Sequence, residues 1–173
     1  MHSRTTISQL LARNLLNLEF ENLPSAVVQM TKICIFDTLA GAFGGWNNEI
    51  SRAVIEAVKN MKGNSDASIW VHGEKTSVAD AAFCNAAIAH SMMLEDTHTG
   101  CRSHPGSIII PTVFALGEGI GATGKEALTA IVAGYEAMAH VGRFMYNAEF
   151  SRRGFRPSGV FGPFGSSMAA AKL

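Results

Sequence analysis

Apolar positions recur at helical spacing along most of this chain, and the segments that interrupt them are built from Gly, Asn, Pro and Ser. Ile7, Leu10, Leu11, Leu15, Leu16 and Leu18 predict a first helix over 7–18. Pro24 suits a first helical position. The stripe Val27, Val28, Met30, Ile33, Ile35, Phe36, Leu39, Phe43 then predicts a core helix, with Gly41, Gly44 and Gly45 allowing close helix contact and termination near its end. Within it, Lys32 reads as a solvated edge and Asp37 as a hydrogen-bonded carboxylate. Asn47 or Asn48 caps a third helix buried through Ile50, Val54, Ile55, Val58 and Met61, and Gly63-Asn64 closes it. Residues 68–72 (SIWVH) form the one strand-like run, and residues 73–76 turn the chain. Ser77 with Asp80 reads as an acidic capping box opening a small-residue helix that runs on to Glu95; in it, Asn85 and His90 read as satisfied core polar groups. Residues 107–118 are apolar around Pro111; read as a first-turn proline, it places a helix over 110–118, ended by Gly119 and Gly121. Thr123 and Glu126 form a further capping box, opening a helix over 125–146. Residues 151–173 begin as a Gly/Pro-rich loop and turn into an alanine-rich helix start without a stop signal, so the chain is expected to break off in mid-helix. The fold class these patterns predict is all-α: a helical bundle of about six or seven helices without a sheet.

Composition narrows the function classes. In 173 residues, 47% are hydrophobic and only 16% charged, against about 25% charged in an ordinary soluble domain. A large covered surface would account for the shortfall. The formal net charge is zero, which leaves no basic field for nucleic acid. Cys34, Cys84 and Cys101 form no C-x-x-C pair and are odd in number, as in a reducing, cytoplasmic setting. The start, MHSRTTISQLLARNLLNLEF, lacks the features of a secretion signal. It is Arg-bearing and amphipathic, so a mitochondrial presequence is the alternative to an ordinary first helix. No uninterrupted apolar run approaches the ~18 residues of a membrane span.

Chemistry concentrates in residues 94–106, LEDTHTGCRSHPG. Three readings stand side by side. Asp96 and His104 can form a proton-transfer pair on a connector, the carboxylate orienting the imidazole and raising its basicity. Thr97, Thr99 and Ser103 would then donate to a polar substrate, and Arg102 would clamp a carboxylate. Alternatively Asp96, His98 and His104 are metal ligands, although H-x5-H is not a usual helical pair. The third reading is a polar interhelix loop. A second candidate is the basic cluster of Arg143, Arg152, Arg153 and Arg156, where Gly154, Gly159, Gly162 and Gly165 could leave N–H groups open to an anion ahead of a helix. The Lys-Ser/Thr ending of a P-loop is absent.

The run Ala89-His90-Ser91-Met92-Met93-Leu94-Glu95-Asp96-Thr97-His98, followed by Ser103-His104-Pro105-Gly106, resembles the signature of the MmgE/PrpD family. Residues 34–41 (CIFDTLAG), 124–135 and 154–173 resemble three further family segments in the same order. The family includes 2-methylcitrate dehydratase, cis-aconitate decarboxylase and iminodisuccinate epimerase. The resemblance implies an all-helical large domain, a smaller α+β lid domain, a homodimer, and no required metal or cofactor. It implies a small polycarboxylate substrate from which a carbanion or enolate forms beside a carboxylate, which calls for a base, a proton donor and cationic or N–H contacts. By resemblance, Asp96 and His104 are catalytic, with Thr97 and His98 beside them. Arg102, Arg156 and Ser158 join as carboxylate contacts. Arg156 stands where the family's terminal block carries a histidine; it can hold a carboxylate but, always protonated, is a poor proton shuttle. Family members are much longer, so residues 1–173 are expected to be an incomplete helical domain without its lid. The alternative function is a catalytically inactive helical domain that only dimerises or pairs with a separately encoded remainder.

Overall fold

A computed structural model describes residues 5–173. Residues 1–4, the start of the presequence reading, lie outside the described residues.

Helix α1 (Ile7–Leu16) opens on a full capping box: Thr6 Oγ1 accepts the Gln9 N–H, and the Gln9 side chain accepts the Thr6 N–H. It stops two residues before the predicted end, and a single 3-10 turn, Phe20–Asn22, leads on. Helix α2 (Ser25–Gly45) covers the predicted core helix, with Pro24 one residue ahead of it. By length and composition it could cross a membrane, but it packs on a later helix instead. Helix α3 (Glu49–Met61) is capped by Asn48, whose Oδ1 accepts the Ser51 N–H, and Lys62 in the left-handed region ends it.

The strand-like run is mostly not strand. β1 (Ala67–Ser68) and β2 (Lys75–Thr76) pair, antiparallel, with Ala67 opposite Thr76. Between them the chain curls, with Val71 at φ 69°, and Ile69 and Trp70 turn inward to plug the core. Asn85 holds this plug: its Oδ1 accepts the Trp70 N–H at 2.8 Å and its Nδ2 donates to Ser68 O at 2.9 Å. The satisfied-core reading of Asn85 therefore holds.

Helix α4 (Val78–His90) ends five residues short of the prediction. Ser91 Oγ donates to Ile88 O, and Met93 adopts φ 51°, so the backbone turns away. Helix α5 (Gly106–Ile120) begins four residues before the predicted start, leaving Pro111 inside it. The reason is not local: the carboxylate of Asp96, ten residues back, accepts the Gly106 N–H and caps the helix. Helix α6 (Gly124–Met145) opens on the Thr123–Glu126 capping box. After the short α7 (Ala148–Arg152), helix α8 runs Pro157–Lys172. The predicted Gly-rich loop is thus the first half of α8, with Pro157 in its first turn.

The main core lies where α5, α6 and α8 meet, around Ile109, Ile110, Val113, Ile131, Met138 and Phe161. A second cluster (Ile55, Val58, Ile69, Cys84, Ile88) joins α3 and α4. Close helix approach depends on a few glycines. A Cβ on Gly134 would sit 3.0 Å from Gly165 O, and one on Gly165 would sit 3.0 Å from Gly134 O, so α6 and α8 cross almost backbone to backbone. Gly41 and Gly45 do the same for α2 against α4, where added Cβ atoms would come within 3.1 Å of Ala89 O and of Ile88 O. The architecture is all-α, as predicted, apart from the two-residue strand pair.

Candidate active site

The end of α4, the connector 91–105 and the start of α8 converge on one place. His90, the last residue of α4, has both ring nitrogens engaged: Nδ1 with Glu95, and Nε2 with an Arg156 guanidinium N–H at 2.8 Å. Glu95 is buried. It lies between two imidazoles, bonded to His90 and with Oε1 3.7 Å from His104 Nδ1. The two rings meet edge-on, with centroids 5.5 Å apart. Two contacts fix His104. Its backbone N–H donates to Ser158 Oγ at 2.9 Å, and Thr97 Oγ1 lies 3.4 Å from its Nδ1. A largely apolar cleft of about 300 Å³ opens beside this group, walled by Phe83, Ala87 and Ile108, with His90, Arg156 and Ser158 also in its lining.

Asp96 has a different place from the one its residue type suggests. No hydrogen bond or ion pair joins it to His104. Its Oδ1 accepts the Gly106 N–H at 2.9 Å. A Cβ on Gly106 would lie 2.4 Å from Asp96 Oδ1, 2.4 Å from Thr38 Oγ1 and 3.0 Å from the Tyr135 hydroxyl. Polar groups of α2, the connector and α6 thus crowd one buried spot at the start of α5. Burial pushes the Asp96 carboxyl above the ordinary range; the Gly106 N–H and the nearby Tyr135 hydroxyl pull it down, and Asp37 and Glu95 push it up again. The Tyr135 hydroxyl is held up mainly by burial and then by Asp96. It is close to that carboxylate, but it meets hydrogen-bond geometry with no group. Asp37 was expected to be hydrogen-bonded, yet its Oδ2 is buried without a partner, as is Thr38 Oγ1. Lys32 is exposed, as expected.

The remaining predicted site residues separate. Thr97 stays beside His104. His98 turns to Cys101, with Nδ1 3.2 Å from the thiol sulfur and 3.3 Å from the Cys101 N–H. Arg102, at φ 47°, lies over the Tyr146 ring at 5.6 Å. Asp96, His98 and His104 do not assemble as a metal cluster; among the described residues, no three His, Cys, Asp or Glu side chains are grouped to hold an ion. The basic cluster also disperses. Arg152 and Arg153 pair with Glu149, and Arg143 packs against Gly100, which leaves Arg156 as the member that reaches the cleft. Gly159, Gly162 and Gly165 lie inside α8 and form no open loop for an anion.

Residue types missed two members of the group. Glu95 was overshadowed by its neighbour Asp96, and His90 was read as a core polar group. Their five-residue separation across a helix end gives no periodic signal; a histidine in the last turn of a helix followed by an acidic connector was the available hint.

Cis-aconitate decarboxylase from Aspergillus terreus is 26% identical over 162 residues, covering 91% of this chain and 33% of that protein. The human cis-aconitate decarboxylase is 28% identical over 173 residues, covering 97% of this chain and 36% of its own length, and the mouse protein is 27% identical over 161 residues. The chain therefore spans about a third of the length of the curated relatives it matches. Residues 9–173 match the MmgE/PrpD N-terminal domain, and the chain belongs to the MmgE/PrpD family.

Proposed function

We propose that this chain supplies one wall of an active site for a small polycarboxylic acid, where a proton is removed from or returned to a carbon next to a carboxylate. The observation that carries this reading is the linked group of Arg156, His90, Glu95 and His104, of which His90 and Arg156 line the cleft. Arg156 supplies a fixed positive charge suited to a carboxylate. His104 is the proton-transfer group: its main chain is tied to α8 through Ser158, and its Nδ1 faces both Glu95 and Thr97. The Glu95 carboxylate, 3.7 Å from Nδ1, can orient the ring for proton transfer. Asp96 acts through the backbone, since its bond to Gly106 fixes the His104-Pro105-Gly106 turn. Thr97 stands next to His104 and can donate to substrate. The relatives named as cis-aconitate decarboxylases make decarboxylation one candidate; dehydration and epimerisation use the same enolate-forming step.

The test is a panel of cis-aconitate, 2-methylcitrate, citrate and iminodisuccinate against the longest natural form of the protein. Turnover of at least one is expected, falling about 10²–10⁴-fold in His104→Ala with folding retained. A protein that turns over none of them would instead fit the alternative of a non-catalytic helical domain.

A further inference from the structure

Arg156 does more than offer a charge to the cleft. A guanidinium has only donors, so its 2.8 Å contact with His90 Nε2 requires a lone pair on that nitrogen. A proton on Nε2 would set N–H against N–H. The neutral ring must therefore carry its proton on Nδ1, where Glu95 accepts it. The triad reads guanidinium, neutral imidazole, carboxylate, and its charges cancel. Glu95 is buried, and its second oxygen has no partner, so nothing competes with the imidazole for the first apart from the more distant His104. The other end is loose. Arg156 is exposed, and its other contact is the weak acceptor Met93 Sδ at 3.3 Å.

We propose that Arg156 caps the Nε2 lone pair of His90 in the free protein, and that a carboxylate entering the cleft draws the guanidinium away and releases His90 as a second base. This rests on the reading above that the cleft takes a carboxylate. The exchange is favourable in kind: a carboxylate accepts two parallel N–H bonds from the guanidinium and neutralises its charge, whereas His90 Nε2 accepts one bond and carries no charge. The uncapped Nε2 then faces the cleft, with Nδ1–H still held by Glu95. When it takes a proton from the carbon beside the bound carboxylate, the C–H pair stays on the substrate as an enolate. The resulting imidazolium is balanced by Glu95. Arg156, itself always protonated, then does not remove proton transfer from this side of the site, because His90 supplies it. It also ties the base to occupancy, since the lone pair is covered whenever no acid is bound.

The full natural chain labelled with ¹⁵N-histidine tests this directly, with His90 identified by its absence in His90→Asn. In the free protein, His90 should show a protonated Nδ1 and an Nε2 shifted by hydrogen bonding. Arg156→Ala should move Nε2 toward the free lone-pair position, and citrate should move it the same way in the unsubstituted protein but not in Arg156→Ala. A free-state His90 protonated on Nε2, or an Nε2 resonance that ignores both Arg156→Ala and citrate, overturns the proposal. Kinetics separate it from the reaction itself. His90→Asn should lower kcat about 10²-fold or more with little change in KM, whereas Arg156→Ala should mainly raise KM. Turnover that survives His90→Asn removes the second base and leaves the reaction standing. A citrate response at His90 without turnover of any acid keeps the carboxylate-operated cap and removes the reaction.

Discussion

Gly106 and Asp96 show how a site is held by residues that need not touch substrate. Gly106 is glycine because a methyl group there would meet two buried oxygens at 2.4 Å, on Asp96 and Thr38. Both side chains would have to turn away, Asp96 at the cost of its bond to the Gly106 N–H. Gly106→Ala should destabilise the fold by about 1–3 kcal/mol, measured by urea unfolding, and a neutral substitution would mean that the start of α5 is softer than its packing implies. Asp96 carries a pH signature of the opposite sense to an ordinary ion-paired carboxylate. Folding raises its proton affinity, so between its ordinary value of 3.8 and the raised one the folded state holds more proton than the unfolded state. Stability contributed by this group is then lost as pH rises through that window. Asp96→Asn keeps the oxygen that accepts the Gly106 N–H and has no proton to lose. Relative to the unsubstituted protein, it should gain stability steadily as pH rises through the window, and a pH-independent difference would remove the assignment. The residue types of the connector were legible as chemistry, but their pairing was not. Glu95 and Asp96 are adjacent in the chain and point to different partners, one to two imidazoles and the other to a helix N-terminus, and only the path of the connector decides which.

At the scale of elements, capping chemistry and periodicity located what they could reach. Thr123 with Glu126, and Asn48 ahead of α3, are local signals, and those helices begin where expected. The start of α5 depends on a side chain ten residues away, and the inclusion of Gly159, Gly162 and Gly165 in α8 depends on what they pack against; neither is written in a short window. Glycine itself shows the limit. Gly44 and Gly45 are neighbours near the end of α2, identical in any propensity scale. A Cβ on Gly45 would meet Ser91 Oγ at 2.2 Å and Ile88 O at 3.1 Å, while one on Gly44 meets nothing within 4 Å. Ser91 could rotate, but it would give up its bond to Ile88 O, and the carbonyl cannot move without α4. Gly44→Ala should therefore stabilise the protein by up to about 1 kcal/mol, and Gly45→Ala should destabilise it by about 1–3 kcal/mol. Chemical denaturation of the pair reads the difference, and equal shifts would show that helix propensity rather than the α2–α4 crossing governs both.

At the scale of the chain, many large apolar side chains among the described residues are exposed, as the low charged fraction foreshadowed. The largest stripe runs along α2, where Met30, Ile33, Phe36 and Phe43 are 59%, 59%, 74% and 62% exposed. The helical period places Ile33, Phe36 and Phe43 along one side of the helix, away from the Gly41–Gly45 contact with α4, with Met30 nearer the face of that contact. Contiguous patches of this kind mark association surfaces. The magnitudes indicate how strong the association can be. Covering one such side chain is worth about 1.5–3 kcal/mol, or roughly 6–12 kcal/mol for four, while association costs about 4–15 kcal/mol in lost freedom. The stripe alone thus supports weak pairing, with tight pairing requiring further surface. The 173-residue chain is accordingly expected to self-associate weakly and reversibly through this face. Phe36→Ser together with Ile33→Ser should shift sedimentation velocity toward monomer at every concentration. The same pair should leave the unfolding temperature nearly unchanged, because neither side chain belongs to a core cluster. Association that persists in the double variant assigns the contact to another face, such as the one carrying Phe144 and Met145. Loss of thermal stability without loss of association would show that the stripe belongs to the fold and not to a partner.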